Sequence, residues 1–176
     1  MFRNRKFLLI QTVLLTLVIG TLSPACGDDE EEIVEDFAGH TLTYDSCWFP
    51  ILRAGILTSM HLIYTDPASP GGVAKLYFEL DGCSPVPEVD QTYAIPGGGG
   101  TCAFSGATLY FLQDDNGRGY SGETWQGTGE ITFETAEIDD AAGTVHLAGT
   151  YTLTFTDAEG VEQGTLTLPF DGTDSL

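Results

Sequence analysis

Three histidines, His40, His61 and His146, are the residues of this chain best suited to acid–base chemistry near neutral pH. Their spacing matches neither H-x-x-x-H nor H-E-x-x-H, the patterns that hold a catalytic zinc ion on a helix. Ser59 precedes His61 by two residues, so a strand would place both side chains on one face. However, the chain has no G-x-S-x-G nucleophile elbow. The sequence therefore favours a plain half-exposed strand here and predicts no catalytic residue.

Acidic side chains offer two further candidates. Glu134 and Glu137 could form the carboxylate pair of a glycosidase, but such pairs arise by chance among 26 acidic residues. Asp114, Asp115 and Asn116, followed by glycine, offer oxygen ligands for calcium without the glutamate that ends an EF-hand loop. A hairpin turn is the favoured interpretation of this segment, and a calcium site is the alternative.

The charge of the chain excludes several partners. The formal net charge is −20, and three of the six basic residues lie within the first six positions. The remainder of the chain carries only Arg53, Lys75 and Arg118 against all 26 acids. Such a surface repels nucleic-acid phosphates and anionic lipid headgroups. Any attachment to a membrane must therefore come from a covalent anchor.

The N-terminus has the three-part layout of an export signal. A basic start, Met1 to Lys6, precedes a mostly apolar stretch from Phe7 to Leu22. Small residues then lead directly to Cys26. The apolar stretch is shorter than a bilayer-spanning helix and contains polar residues, so residues 1–25 are predicted to be a cleaved signal peptide.

Cys26 and its surroundings resemble a bacterial lipobox. In that family the cysteine thiol carries diacylglycerol and the signal is removed just before it. Seven of the ten residues from 27 to 36 are acidic, which predicts an extended tether over residues 26–36. This run resembles the acidic segment that follows the lipidated cysteine in lipoproteins of Bacteroidota and myxobacteria. The resemblance implies a protein anchored in the outer membrane, facing either the periplasm or the outside.

Three cysteines remain after Cys26. An exported chain meets an oxidising compartment, so one disulfide is expected among Cys47, Cys83 and Cys102, leaving one thiol over. The Cys83–Cys102 pairing closes the shortest loop and is preferred, and both pairings of Cys47 stay open. No C-x-x-C pair is present, which disfavours a zinc site.

Two-residue alternation dominates residues 37–176. From Thr144 to Phe155 apolar side chains occupy one face and mostly threonines the other, with a bend expected at Gly149. Strands are also expected over residues 40–47, 59–65, 73–80, 92–95, 107–113, 129–135 and 164–170. Pro169 suits an edge strand. The sequence predicts a single all-β, antiparallel domain, either a β-sandwich or barrel-like.

The last third of the chain is similar to uncharacterised bacterial outer-membrane lipoproteins. The similarity lies in repeated glycine–threonine strands, such as 127–133, 148–155 and 164–170, separated by acidic turns. The resemblance implies a lipid-anchored envelope protein. The lack of any motif with catalytic spacing favours a module without enzymatic activity or cofactor, which binds a protein or glycan partner or serves a structural role. The alternatives are a calcium-stabilised adhesion-like domain, a glycan-binding domain in which Trp125, Tyr120 and Tyr110 form the platform, or a small hydrolase. Trp48 and Trp125 are otherwise expected in the core.

Overall fold

The computed structural model describes residues 33–52, 56–83, 86–99, 101–112 and 123–175. Within these ranges the chain forms twelve strands, and no helix there is long and apolar enough to cross a membrane. The strands are β1 Ile33–Phe37, β2 His40–Trp48, β3 Ile51–Leu52, β4 Ile56–Leu57, β5 Ser59–Thr65, β6 Val73–Cys83, β7 Thr92–Ile95, β8 Gly97–Gly99, β9 Cys102–Phe111, β10 Thr124–Asp139, β11 Thr144–Thr156 and β12 Glu162–Ser175.

One antiparallel sheet contains nearly all of these strands. Its order is β1-β2-β5-β6-β9-β10-β11-β12, with β7 added beside β10 and β8 beside β9. The short strands β3 and β4 pair only with each other. Every described pairing is antiparallel, so the predicted all-β, antiparallel class is confirmed.

The sheet curls until its two ends approach each other, which makes the domain barrel-like. Near this junction the Tyr44 hydroxyl of β2 donates a 3.2 Å hydrogen bond to the Asp171 carbonyl of β12. The Phe49 amide donates a 2.8 Å hydrogen bond to Asp174 Oδ2 of the same strand. These bonds hold the two ends of the sheet together. Pro169 lies on β12, the last strand in the order, as predicted for a proline on an edge strand.

Alternation along the strands fills the interior. On β11 every second residue is buried, from Val145 through Tyr151 to Phe155, and the intervening side chains face outward. At the centre the hydroxyls of Tyr64 and Tyr151 share a 2.8 Å hydrogen bond, which satisfies two polar groups that are almost fully buried. The outward-facing positions of the strands are therefore the ones available for a site.

Two segments differ from the sequence-based expectation. Strand β1 begins at Ile33, inside the segment predicted as a tether, and pairs with β2. Ile51–Leu52 and Ile56–Leu57, where no strand was predicted, pair with each other as β3 and β4. In both cases pairing with a neighbouring strand decides the backbone conformation, which the local sequence did not indicate.

Candidate functional site

A cavity of about 380 Å³ opens on the outer face of the sheet, over β2, β5, β6 and β9. Three aromatic rings and three polar side chains contribute to its lining: Trp48, Tyr77, Tyr110, Ser59, His61 and Lys75.

The register of the strands brings these residues together. Trp48 of β2 lies opposite His61 of β5, which in turn lies opposite Tyr77 of β6. In the next row Lys75 of β6 lies opposite Tyr110 of β9. Because side chains of directly paired residues project to the same face, these four strands build one continuous wall.

Ser59 and His61 form the polar centre of the cavity. Ser59 Oγ and His61 Nε2 share a hydrogen bond of 3.1 Å. The imidazole lies between the rings of Trp48 and Tyr77, with centroid distances of 4.6 and 4.9 Å. Both residues are buried, which corrects the expectation of a half-exposed strand. Ser59 and His61 are buried because the large neighbouring rings cover this part of the outer face.

The environment of His61 keeps its imidazole neutral at physiological pH. Burial, together with the positive charge of Lys75, lowers the pKa of His61 from 6.5 to about 4. A neutral imidazole presents one donor and one acceptor. Because Nε2 is bonded to Ser59 Oγ, Nδ1 is the ring nitrogen that could bond a ligand, as donor or as acceptor according to the tautomer.

This pKa makes stability depend on pH. Between pH 6.5 and 4 the unfolded His61 is protonated while the folded one is not, so the unfolded state binds more protons there. We expect the contribution of His61 to the free energy of unfolding to be largest above pH 6.5 and to be lost as the pH falls toward 4. Water that enters the open cavity weakens the effect, so the expected loss is roughly 1–2 kcal/mol. Urea denaturation at pH 7.5 and 4.5 measures this.

The matched variant for this measurement is His61→Gln, which keeps a polar side chain but cannot titrate. Its stability should fall less over the same pH interval, since carboxylate titration is common to both proteins. Equal pH dependence in the two proteins would contradict a lowered pKa at His61.

Lys75 is the only lysine or arginine within the described ranges. Its side chain is 7% exposed, although lysine is among the residues most rarely buried. The ammonium lies 5.5 Å from the centroid of the Tyr110 ring, within the range of a cation–π contact. The cavity thus contains a positive charge inside an otherwise acidic domain.

The two tryptophans occupy opposite environments. Trp125 is 2% exposed, and its Nε1 donates a 2.7 Å hydrogen bond to Glu123 Oε1, as expected for a core residue. Trp48 is 54% exposed at the wall of the cavity, so its expected place in the core was wrong. Of the aromatic platform considered from the sequence, Trp125 faces inward, Tyr110 lines the cavity and Tyr120 lies outside the described residues.

The other two histidines have structural partners. His40 Nδ1 and Asp66 Oδ2 lie 2.7 Å apart, and Asp66 also accepts a hydrogen bond from the amide of Ala68 in the turn before β6. His146 Nε2 lies 2.7 Å from Asp171 Oδ1 and stays partly exposed, in agreement with its position on the threonine face. Both pairs connect neighbouring parts of the sheet and lie away from the cavity.

The remaining acidic candidates do not join the cavity. Glu134 and Glu137 are exposed on β10, and neither lines it. Asp114, Asp115 and Asn116 lie outside the described residues. In the ranges that are described, no three His, Cys, Asp or Glu side chains come together in a way that could hold a metal ion.

The cysteines pair more completely than expected. Cys83 and Cys102 face each other on β6 and β9 and form a disulfide, the pairing that the sequence favoured. Cys47 on β2 is half-buried against the core and is also disulfide-bonded, so the expectation of one leftover thiol was wrong. Cys26 lies outside the described residues.

Within the part of the chain that the structure describes, this cavity is the strongest candidate for a functional site. No family model, curated protein or solved structure matches the chain.

Proposed function

We propose that this chain is a lipoprotein of the bacterial outer membrane whose barrel-like domain binds a small ligand in the outer-face cavity without catalysing a reaction. The anchor is the Cys26 lipid, supported by the export signal of residues 1–25 and by the small residues before the cysteine. Acyl chains on one cysteine hold an acidic domain at a membrane that its own surface would avoid.

The cavity is the observation that carries the binding function. Its volume lies within the range of small-molecule sites, and it combines aromatic walls with a few converging polar groups. Exposed Trp48 offers an apolar surface, and an exposed large aromatic ring beside a cavity is typical of a binding site.

Binding is favoured over catalysis by the electrostatics of His61. General base catalysis is most efficient when the pKa of the base lies near the working pH. A histidine with a pKa of about 4 is a weak base at pH 7, although it remains a good hydrogen-bonding partner. The Ser59–His61 pair therefore suits recognition of a polar group better than activation of a nucleophile.

Ligand-observed NMR on the full mature protein tests the binding function. A library of neutral, acidic and basic small molecules should contain compounds that receive saturation from the protein. The signal should disappear for Trp48→Ala and persist for Val161→Ala, since Val161 is an exposed hydrophobic residue outside the cavity. Binding that survives in Trp48→Ala would place it elsewhere, and no binding at all would overturn the proposal.

Mass spectrometry of the protein from bacterial membranes tests the anchor separately. We expect a chain that begins at Cys26, carries a lipid mass and partitions into detergent, whereas Cys26→Ala should stay with its signal and lose the lipid. Cys47 is disulfide-bonded in the structure, and Cys83 and Cys102 bond each other. A thioether and a disulfide need the same sulfur, so a lipidated Cys26 cannot be the partner of Cys47. A Cys26–Cys47 disulfide in the mature protein would overturn the lipid anchor and leave the cavity unaffected.

A further inference from the structure

We infer that the cavity binds a small planar aromatic molecule, which stacks on Trp48 and places one hydrogen-bonding group against Nδ1 of His61. This inference rests on the proposed ligand-binding function and specifies the chemical class of the ligand. It follows from the aromatic wall of the cavity, from the ring nitrogen that is open to it, and from the contacts that the other polar groups of the lining already form.

The wall of the cavity is built mainly of rings. The imidazole of His61 lies between Trp48 and Tyr77, with centroid distances of 4.6 and 4.9 Å. Pro50 and Tyr110 also line the cavity. Trp48 is 54% exposed, so its indole can still contact a ligand. Aromatic rings pack against one another in offset-stacked or edge-to-face geometry, so a planar aromatic ligand can contact several rings of this wall at once.

Nδ1 of His61 is a polar atom of this wall that a ligand can bond. His61 Nε2 is bonded to Ser59 Oγ at 3.1 Å, whereas Nδ1 forms no hydrogen bond within the described ranges. Every fully buried side-chain nitrogen or oxygen of the described residues has a partner, so Nδ1 must be accessible, and His61 lines the cavity. The residue as a whole is only 8% exposed, so its rings and its bond to Ser59 hold this nitrogen in a fixed position.

The other polar groups of the lining already have contacts inside the protein. Ser59 shares its hydrogen bond with His61, and the Lys75 ammonium lies 5.5 Å from the centroid of the Tyr110 ring. A ligand with many hydroxyl groups would lose water from each hydroxyl that enters the cavity, and it would find few partners there in exchange. A ligand with a broad apolar surface and one hydrogen-bonding group gains from burial against the rings instead. This balance favours an aromatic molecule over a sugar.

The hydrogen bond at Nδ1 can run in either direction. Burial, together with Lys75, lowers the pKa of His61 to about 4, so the imidazole is neutral at pH 7 and Nδ1 donates or accepts according to the tautomer. A hydroxyl group serves both cases, whereas a ring N–H can only donate and a pyridine-type nitrogen can only accept. Probes of these three kinds therefore identify the tautomer as well as the class of ligand.

Calorimetric titration of the full mature protein with small probes tests the inference. Naphthol, indole and quinoline are bicyclic aromatic molecules that carry a hydroxyl group, a ring N–H and a ring nitrogen acceptor, respectively. Naphthalene has the aromatic rings without a hydrogen-bonding group, decahydronaphthol has the hydroxyl group without aromatic rings, and maltose represents the sugars. All titrations use one detergent, so partition of the probes into micelles is common to the native protein and its variants.

We expect naphthol to bind with a Kd at least about tenfold lower than those of naphthalene, decahydronaphthol and maltose, since each of these lacks the aromatic or the hydrogen-bonding contact. Either indole or quinoline should bind nearly as well as naphthol, according to the tautomer. Trp48→Ala should raise the Kd of naphthol about tenfold or more, and Val161→Ala should leave it unchanged, because Val161 lies outside the cavity.

His61→Phe isolates the hydrogen bond at Nδ1. The variant keeps a ring between Trp48 and Tyr77, so it should bring the Kd of naphthol to that of naphthalene. If His61→Phe does not fold, the comparison of naphthol with naphthalene on the native protein decides the role of Nδ1 by itself.

Binding of decahydronaphthol or maltose as tight as that of naphthol would overturn the inference, and so would equal binding of naphthol and naphthalene. An absence of aromatic binding while other library compounds bind at Trp48 would also overturn it, and in that case the proposed ligand-binding function would stand. If no compound of either set bound, both would fall.

Discussion

Replacing Gly149 by alanine is expected to lower the free energy of unfolding by about 3 kcal/mol or more. A Cβ atom at this position would lie 2.0 Å from the carbonyl oxygen of Thr132 and 3.0 Å from the Cα of Phe133. Both atoms belong to the backbone of β10, so no side-chain rotation can relieve the clash. The long pairing of β10 with β11 would have to separate locally.

The close approach has a structural origin. Gly149 pairs with Phe133 at the point where the register of β10 shifts, between Phe133 and Thr135. A bulge bends a strand and increases its twist, which the sheet needs in order to curl into a barrel-like shape. Glycine allows β11 to follow this bend at close range.

The matched control is Gly106→Ala on β9. A Cβ atom there would meet no other atom within 4 Å, so the substitution should be neutral or stabilise the protein by up to about 1 kcal/mol. Urea denaturation followed by circular dichroism compares the two variants, and failure of Gly149→Ala to fold would agree with the expectation. Equal stability of the two variants would show that β10 and β11 do not approach this closely.

The fold could be predicted from sequence because alternation is a local signal. The pattern from Thr144 to Phe155 reports which side chains face inward, and β11 follows it residue by residue. The bend at Gly149 was also visible, since a glycine inside an alternating strand marks a bulge or a close approach. Closure into a barrel-like shape depends instead on contacts between β2 and β12, which no local pattern contains.

The cavity illustrates what the sequence could not provide. Alternation placed Ser59 and His61 on one face but could not reveal that Trp48 and Tyr77 would cover them. These neighbours come from the register of β2, β5 and β6, which is set by the packing of the opposite face. An outward-facing tryptophan, a lysine and a tyrosine on separate strands carry no motif, so the site emerges only in the folded sheet.

Replacing Phe133 by alanine is the second large effect that we expect, a loss of about 3–5 kcal/mol. Phe133 is fully buried on the inner face of β10. Its ring centroid lies 5.9 Å from that of Tyr93, 6.3 Å from that of Phe104 and 5.7 Å from that of Phe170. These three residues belong to β7, β9 and β12, so the ring joins strands from across the sheet. Removing it loses apolar burial and leaves a cavity that rigid strands cannot collapse.

The neighbouring residue on β10 supplies the control, because Glu134 points to the opposite face and is exposed. Glu134→Ala should change the free energy of unfolding by no more than about 0.5 kcal/mol. Phe133→Leu should fall between the two, since leucine retains part of the buried surface. Urea denaturation at pH 7.5 ranks the three variants. A loss below about 1 kcal/mol for Phe133→Ala would mean that β10 does not direct this face to the interior.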